Sequence, residues 1–527
     1  MRQRLVFLLS TLAACATSGA GSGARPVRLA VGDNELRRDL FAFAADSFQG
    51  RETGTPGATR AARFLARRLV ELGVEPAGDS LYFQRVPLIR QTFGPGTRLV
   101  VRSGQMDLPL RLGSDAVPLV NLGPGAPLPR RNAEGDLFFA GYGMNTSGRN
   151  DFQGASVAGR VIVMLHGAPP TVTDSATKAR LESQDELGQR LMRALQLQPV
   201  AIVLLVTGGA REFYTQAAPE LLRSVTAAPG DQTTTDAERP LPMVLLGLAR
   251  PGSPLLPDNW QTQDGPRLLA GRRFSAHVDL RLEPFTSHNI VGIIRGADPR
   301  WNKSYVAFGS HYDHIGVQTG ERPDSIANGA DDDGSGTVTM LAIAKSLAAS
   351  RPKRSTLLVW HTAEEKGLLG SSYFVDHPTV PIDSIVAQIN MDMVGRNGGS
   401  TSAFDSRANG SSAEDRLFVV GPNAAPNNQS RTLGAILDTV NARQERPFAF
   451  DRVWDSPTHP ERIYFRSDHF NYARKGIPVL FLTTGLHEDY HKTSDEPGKI
   501  NYPKMARIAS LLLELGATLG NREARPR

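Results

Sequence analysis

Five short segments of the chain carry residue types that bind cations or move protons. The first is His311-Tyr312-Asp313-His314, which follows an apolar run beginning at Tyr305. On extended backbone, residues two apart project to one side, so Asp313 is placed to receive the second ring N–H of His311 and fix its tautomer. The second is Asp331-Asp332-Asp333, flanked by Gly329, Gly334 and Gly336. Three adjacent carboxylates repel one another, and flanking glycines permit a backbone that presents one of them to two cations at once. The third is Glu364-Glu365, where one carboxylate can ligate a metal while the other holds a proton. Asp392, the fourth, ends the apolar stretch from Ile385, where desolvation is costly unless a cation or hydrogen bonds compensate it. The fifth runs from His487 to Asp495, and both His487 and His491 stand open as ligands at this point.

Together these segments offer two histidines and three carboxylates in donor order, plus one spare glutamate. The only cysteine is Cys15, which excludes a disulfide framework and any thiolate-based zinc or iron–sulfur site. Imidazole and carboxylate donors suit Zn²⁺, with Mn²⁺ or Co²⁺ as substitutes. The charges of two divalent ions are balanced by three carboxylates and a bridging hydroxide, and paired cations strongly lower the pKa of a shared water.

The elements that must position these groups alternate between strand and helix. Apolar tracts at 289–294, 305–309, 355–360, 385–391 and 478–483 read as strands, with helices over 337–347 and 504–519. Upstream, 34–46 and a helical repeat through Ala61, Leu65, Leu69 and Leu72 flank the turn-rich loop Gly50 to Gly57; a tract over 99–112 reads as strand. The composition then changes through Gly123-Pro124-Gly125, and the next segment has its own strands (137–142, 161–165, 200–206, 242–246) and a helix over 184–195. The expected fold class is therefore α/β, a central sheet flanked by helices on both faces with an inserted β-rich domain. The expected domains are a signal peptide and tether (1–24), the N-terminal part of the main domain (25–115), the insert (116–272) and the rest of the main domain (273–527). The chemical segments then fall at strand ends, where open α/β sheets bind ligands.

At 527 residues the chain exceeds a single core. Its net charge of +6 is spread over 59 basic and 53 acidic residues without a basic run interleaved with aromatics, which argues against a nucleic-acid partner. No charge-free apolar run reaches spanning length, which excludes a polytopic membrane protein. Arg2 and Arg4, the apolar run from Leu5 to Leu12, and Ala13-Ala14-Cys15 read as an export signal. Its Leu-Ala-Ala-Cys end resembles a bacterial lipobox, in which the cysteine is lipidated, so the expected location is the cell envelope or the exterior, with membrane contact only through a lipid on Cys15.

The five segments, in this order, resemble the two-zinc exopeptidases of metallopeptidase family 28, which include bacterial aminopeptidases and glutamate carboxypeptidases. Gly50-Arg51-Glu52-Thr53-Gly54, Arg466-Ser467-Asp468-His469 and Gly476-Ile477-Pro478 match other landmarks of that family. The resemblance implies that Asp332 bridges two zinc ions, one also held by His311 and Asp392 and the other by Glu365 and His491. Glu364 would be the general base, Asp313 the partner of His311, and the Asp332–Asp333 peptide cis. His314 is expected to order its loop, and His361, His469 and His166 to be structural. Phe139-Ala140-Gly141-Tyr142-Gly143 and Val157 to Val163 resemble a protease-associated domain, which borders the cleft and takes no part in the chemistry. The expected activity is an aminopeptidase acting on peptides. The alternatives are a glutamate-releasing carboxypeptidase, a one-metal glutaminyl-cyclase-like transferase, and an inactive binding protein.

Overall fold

Strands Tyr305–His311, Ser355–His361, Ile385–Met391 and Val479–Thr483 are buried at every position, a pattern that requires a sheet covered on both faces. These four lie parallel in the order 355–361, 305–311, 385–391, 479–483, so their C-terminal ends, with the polar residues that follow, line one edge. The computed structural model describes residues 31–526 apart from 121–128, 147, 155, 209, 230–240, 319–323, 399–411 and 460. The expected export signal with Cys15, and Gly123-Pro124-Gly125, lie outside the described residues.

On one flank the parallel core meets a long antiparallel pair, Leu280–Ile294 against Phe83–Phe93, and Val225–Ala227 adds the edge. On the other flank, Arg416–Val420 runs antiparallel to Val479–Thr483, and Ala449–Asp451 follows. The sheet is thus mixed. Alternate strand residues serve opposite faces. Val306, Phe308, Leu358 and Trp360 pack with helices Asp33–Phe43, Pro56–Glu71, Gly336–Ala349, Arg431–Asn441 and Tyr502–Asn521. Tyr305, Ala307, Leu357 and Val359 pack with helices Leu369–Asp376 and His469–Arg474. Helix Gly336–Ala349 is apolar almost all round because it is sunk in this core. Helix Tyr502–Asn521 starts with Asn501, whose side chain accepts from Lys504 N, and Pro503 in its first turn.

A second mixed sheet has the order Met106–Pro109, Arg98–Ser103, Arg267–His277, Asn132–Phe139, Val161–His166, Ala201–Val206, Met243–Leu248, Ala116–Leu119. Its helices include Ser175–Leu181, Gln184–Gln196 and Ala210–Arg223. The boundaries expected at 116 and 272 fall inside this sheet. The tract read as one strand over 99–112 is a hairpin turning at Gly104 (φ 60°); its first arm pairs with Arg267–His277 in the second sheet, and its second arm forms the edge beside the first. Strand membership is decided by pairing partners far away in sequence, which a local change of composition does not report. Among the described residues, no helix is long and apolar enough to cross a membrane.

Candidate metal centre

The residues after the parallel strands converge into two lobes. In the first, His311 Nε2 lies 3.4 Å from Asp332 Oδ1 and 3.6 Å from Asp392 Oδ1. In the second, His491 Nε2 lies 3.2 Å from Asp332 Oδ2 and 3.1 Å from Glu365 Oε2. Asp332 gives one oxygen to each lobe. Glu364 ligates neither; its Oε2 stands 3.9 Å from His311 Nε2. His311, Asp332, Glu364, Glu365, Asp392 and His491 are therefore brought together, although they span 180 positions from first to last.

The three aspartates of the glycine-flanked loop diverge. Asp333 accepts from Gly336 N (2.9 Å) and Met393 N (3.2 Å) with one oxygen, and from Ser310 Oγ (2.8 Å) with the other, pinning the start of helix Gly336–Ala349 between two strand ends. Asp331 accepts from Gly395 N and faces His487 Nε2 at 3.2 Å. That contact takes His487 away from the lobes and leaves His491 as the histidine of this segment that enters them. The peptide between Asp332 and Asp333 is cis. Ala363, Met393 and His491 hold left-handed backbone (φ 55°, 59° and 57°), the first next to Glu364 and the others at or next to a lobe residue. Non-glycine residues keep such geometry only where surrounding structure enforces it.

Two expectations need correction. The Asp313 carboxylate does not take the ring N–H of His311; its nearer oxygen is 3.9 Å from Nδ1, and the Asp313 carbonyl oxygen accepts at 3.1 Å instead. The carboxylate is turned to Thr53 Oγ1 (2.8 Å) and Glu364 N (3.1 Å), because the chain bends after His311 and ends the alternation on which the expectation rested. His314 does more than order a loop. It is fully buried, its Nδ1 is 2.7 Å from Glu365 Oε1 and 3.8 Å from Asp332 Oδ2, and its ring meets that of His491 edge-on at 5.7 Å. His361, by contrast, pairs with Asp468 (3.2 Å) and Tyr472 (3.1 Å) behind the site, and His469 stacks on Phe481.

Crowding sets the electrostatics. Burial, reinforced by Asp392, Glu365 and Asp468 against the pull of His311, holds the Glu364 carboxyl well above the usual glutamate range. Asp332 and Glu365 are also buried, yet their histidine neighbours outweigh burial and keep both below the carboxylate range. Burial pushes Asp313 up to about 6. Asp332 Oδ2 is buried and accepts no hydrogen bond, and four carboxylates share the basin. Such a basin favours compensating positive charge, and its donor set of imidazole and carboxylate suits zinc, so these residues fit the metal.

Beside the lobes opens a cavity lined by Asp332, Glu364, Glu365 and Asp392 together with Trp454, Phe481 and other apolar residues. Arg466 also lines it, 3.4 Å from Tyr490 Oη and 3.6 Å from Glu461. Ser467 donates to Asp392 Oδ2 at 2.7 Å. The landmark Arg466-Ser467-Asp468-His469 marked this wall in the sequence without assigning its residues a role.

Comparison with known proteins agrees with this geometry. Residues 289–516 match the family described as peptidase family M28, and the match takes in every lobe residue. This segment belongs to peptidase family M28. The chain is 31% identical over 211 residues to the probable leucine aminopeptidase 2 of Aspergillus oryzae, covering 40% of this chain and 36% of the relative. It is 33% identical over 209 residues to that of Aspergillus fumigatus, covering 40% and 35%. The chain thus spans about a third of the length of these relatives. Among solved structures, an aminopeptidase from Aneurinibacillus sp. strain AM-1 aligns over 94% of this chain and 96% of its own with a TM-score of 0.55 at 16% identity. A zinc aminopeptidase from Bacillus subtilis aligns over 93% and 95% with a TM-score of 0.52 at 17% identity. These two likenesses establish the fold, second sheet included, and the M28 segment contributes all of the lobe residues.

Proposed function

We propose that the chain is a zinc-dependent exopeptidase, an aminopeptidase that removes N-terminal residues from peptides. The observation that carries this reading is the pair of imidazole–carboxylate lobes sharing Asp332, the second of them approached by both His491 and His314, with Glu364 beside them and in neither. The M28 match and the aminopeptidase names of its relatives support it. One ion would be held by His311, Asp332 and Asp392, the other by Asp332, Glu365 and His491. Bound cations of this kind supply Lewis acidity toward a carbonyl and an ionised water near neutral pH.

The remaining work falls to the chain. Glu364 takes the proton of the attacking water and returns it to the departing amine, a task that its upward-shifted carboxyl suits. Buried carboxylates, Glu364 among them, hold the substrate's amino terminus. Met393, Trp454, Ile463, Phe481 and Leu486 offer an apolar wall to the first side chain. The N-terminal pattern ending at Cys15 supports export and lipid anchoring, and the second sheet borders the M28 segment as a protease-associated domain would.

Arg466 favours a second reading, a carboxypeptidase in which the cavity receives a substrate carboxylate. Its guanidinium is already shared with Glu461, however, and among the described residues no cationic cluster lines the cavity. An amino acid p-nitroanilide and an N-acylated dipeptide separate the two. Turnover of the anilide alone, abolished by a chelator and restored by zinc, is the expected result; release of the C-terminal residue from the acylated dipeptide would establish the carboxypeptidase instead.

A further inference from the structure

Of three consecutive side chains before helix Pro56–Glu71, the outer two grip the loops of the metal centre. The Arg51 guanidinium, fully buried and stacked over Phe43, donates to the carbonyls of Tyr312 (2.8 Å), Asn328 (2.5 Å) and Gly329 (2.9 Å), holding the His311 loop against the Asp332 loop. Thr53 Oγ1 donates to Asp313 Oδ2 (2.8 Å) and accepts from Ala363 N (3.1 Å), while Asp313 Oδ1 accepts from Glu364 N (3.1 Å). The turn that carries Glu364 and Glu365 is therefore hung on this segment through two backbone amides.

Glu52, between them, faces the other way. Its Oε1 accepts from Lys366 Nζ at 2.9 Å, at the far end of the same turn, and from Arg223 Nη2 at 2.6 Å. Arg223 is the last residue of helix Ala210–Arg223, which packs in the second-sheet unit. Directly after it, Val225–Ala227 pairs with Ile89 to Gln91 at the edge of the main sheet. One largely buried carboxylate oxygen thus joins the point where the second unit hands its chain to the main sheet with the turn bearing the proposed base.

We propose that Glu52 is a positioning residue which, through Arg223 and Lys366, couples the seating of the second-sheet unit to the orientation of Glu364 and Glu365. The second unit then acts on the reaction through this oxygen, in addition to bordering the cleft. The coupling deepens the aminopeptidase reading, on which its kinetic consequence rests; the geometric consequence stands without it.

The test uses the full chain, with hydrogen–deuterium exchange and steady-state kinetics on Arg223→Ala, Arg223→Lys and Glu52→Gln. The amides of Ala363 and Glu364 should exchange several-fold faster in Arg223→Ala and Glu52→Gln, recover in Arg223→Lys, and leave helix Tyr502–Asn521 unchanged. On a small anilide substrate, kcat should fall by roughly tenfold and KM should rise by a smaller factor, since the displaced Glu364 is the base and only one of several groups that hold the amino terminus. Wild-type exchange at 363–364 in Arg223→Ala would overturn the coupling whatever the kinetics. An inactive wild type would sink the aminopeptidase reading and leave the exchange result to stand or fall alone. If Arg223→Ala accelerates exchange throughout the chain, Arg223→Gln, which keeps most of the side-chain length and removes the charge, is judged by the same amides.

Discussion

Asp331, Asp332 and Asp333 carry one side chain and perform three tasks, which shows how far position decides function at the scale of the residue. Asp332 alone gives an oxygen to each lobe, while Asp331 and Asp333 accept backbone amides that join the loop to neighbouring strand ends. The same division separates Glu364 from Glu365, adjacent in sequence and opposite in electrostatics, because Glu365 faces two histidines and Glu364 faces Asp392 and Asp468 as well as His311. Glu364→Gln and Asp332→Asn should therefore fail differently. The first should keep its zinc and lose turnover by roughly 10²–10⁴-fold, the usual worth of a positioned proton carrier. The second should lose occupancy of both ions, measured by elemental analysis after dialysis. Zinc lost from Glu364→Gln, or retained in full by Asp332→Asn, would reverse the assignments. Most of this was legible in the sequence because the donors sit in short, distinctive segments. The role of His314 was not, since its approach to Glu365 depends on a bend after His311 that no local pattern announces.

At the scale of elements, the four parallel strands and the helices Gly336–Ala349 and Tyr502–Asn521 were readable from their apolar runs and spacing. The antiparallel pair Phe83–Phe93 and Leu280–Ile294 was largely missed. Both strands are half exposed for much of their length, so their signal is an alternation diluted by polar residues rather than an apolar run. Helices Ser175–Leu181 and Ala210–Arg223 were missed as well, the second carrying Pro219 in its interior. The Gly50 loop could be read as turns, but what it turns around could not. Gly50 holds φ 62°, and a Cβ there would stand 2.5 Å from the carbonyl oxygen of Ala327 and 2.6 Å from that of Gly316. Neither backbone can retreat without moving the loops that Arg51 clamps. Gly50→Ala should accordingly cost on the order of 2–3 kcal/mol, read as a lowered denaturation midpoint, and a variant as stable as the parent would mean that the loop repacks freely.

For the whole molecule, the two sheets share a liability to acid. An imidazole is buried away from water beside each: His166 ends a strand of the second sheet, and His469 opens helix His469–Arg474, which packs on the main sheet. Burial, aided by the charge of Arg190, depresses His166 to about 4; burial also depresses His469 to about 3, despite Asp468. In the unfolded chain both groups regain the ordinary value near ~6.5, so at intermediate pH the unfolded state binds more protons than the folded one. The contribution of these two groups to stability therefore falls as pH drops below about 6.5 and goes on falling until the folded-state values are reached; between about pH 7 and pH 5 each contributes a loss of roughly 2 kcal/mol. His166 gives the cleaner test because it lies outside the M28 segment and its metal centre. Urea denaturation of His166→Gln at the two pH values should show a pH-dependent loss smaller than that of the parent by about 2 kcal/mol. An unchanged difference would mean that the folded protein admits a proton at His166 as readily as the unfolded chain does, and that the second sheet is open to water at that strand end.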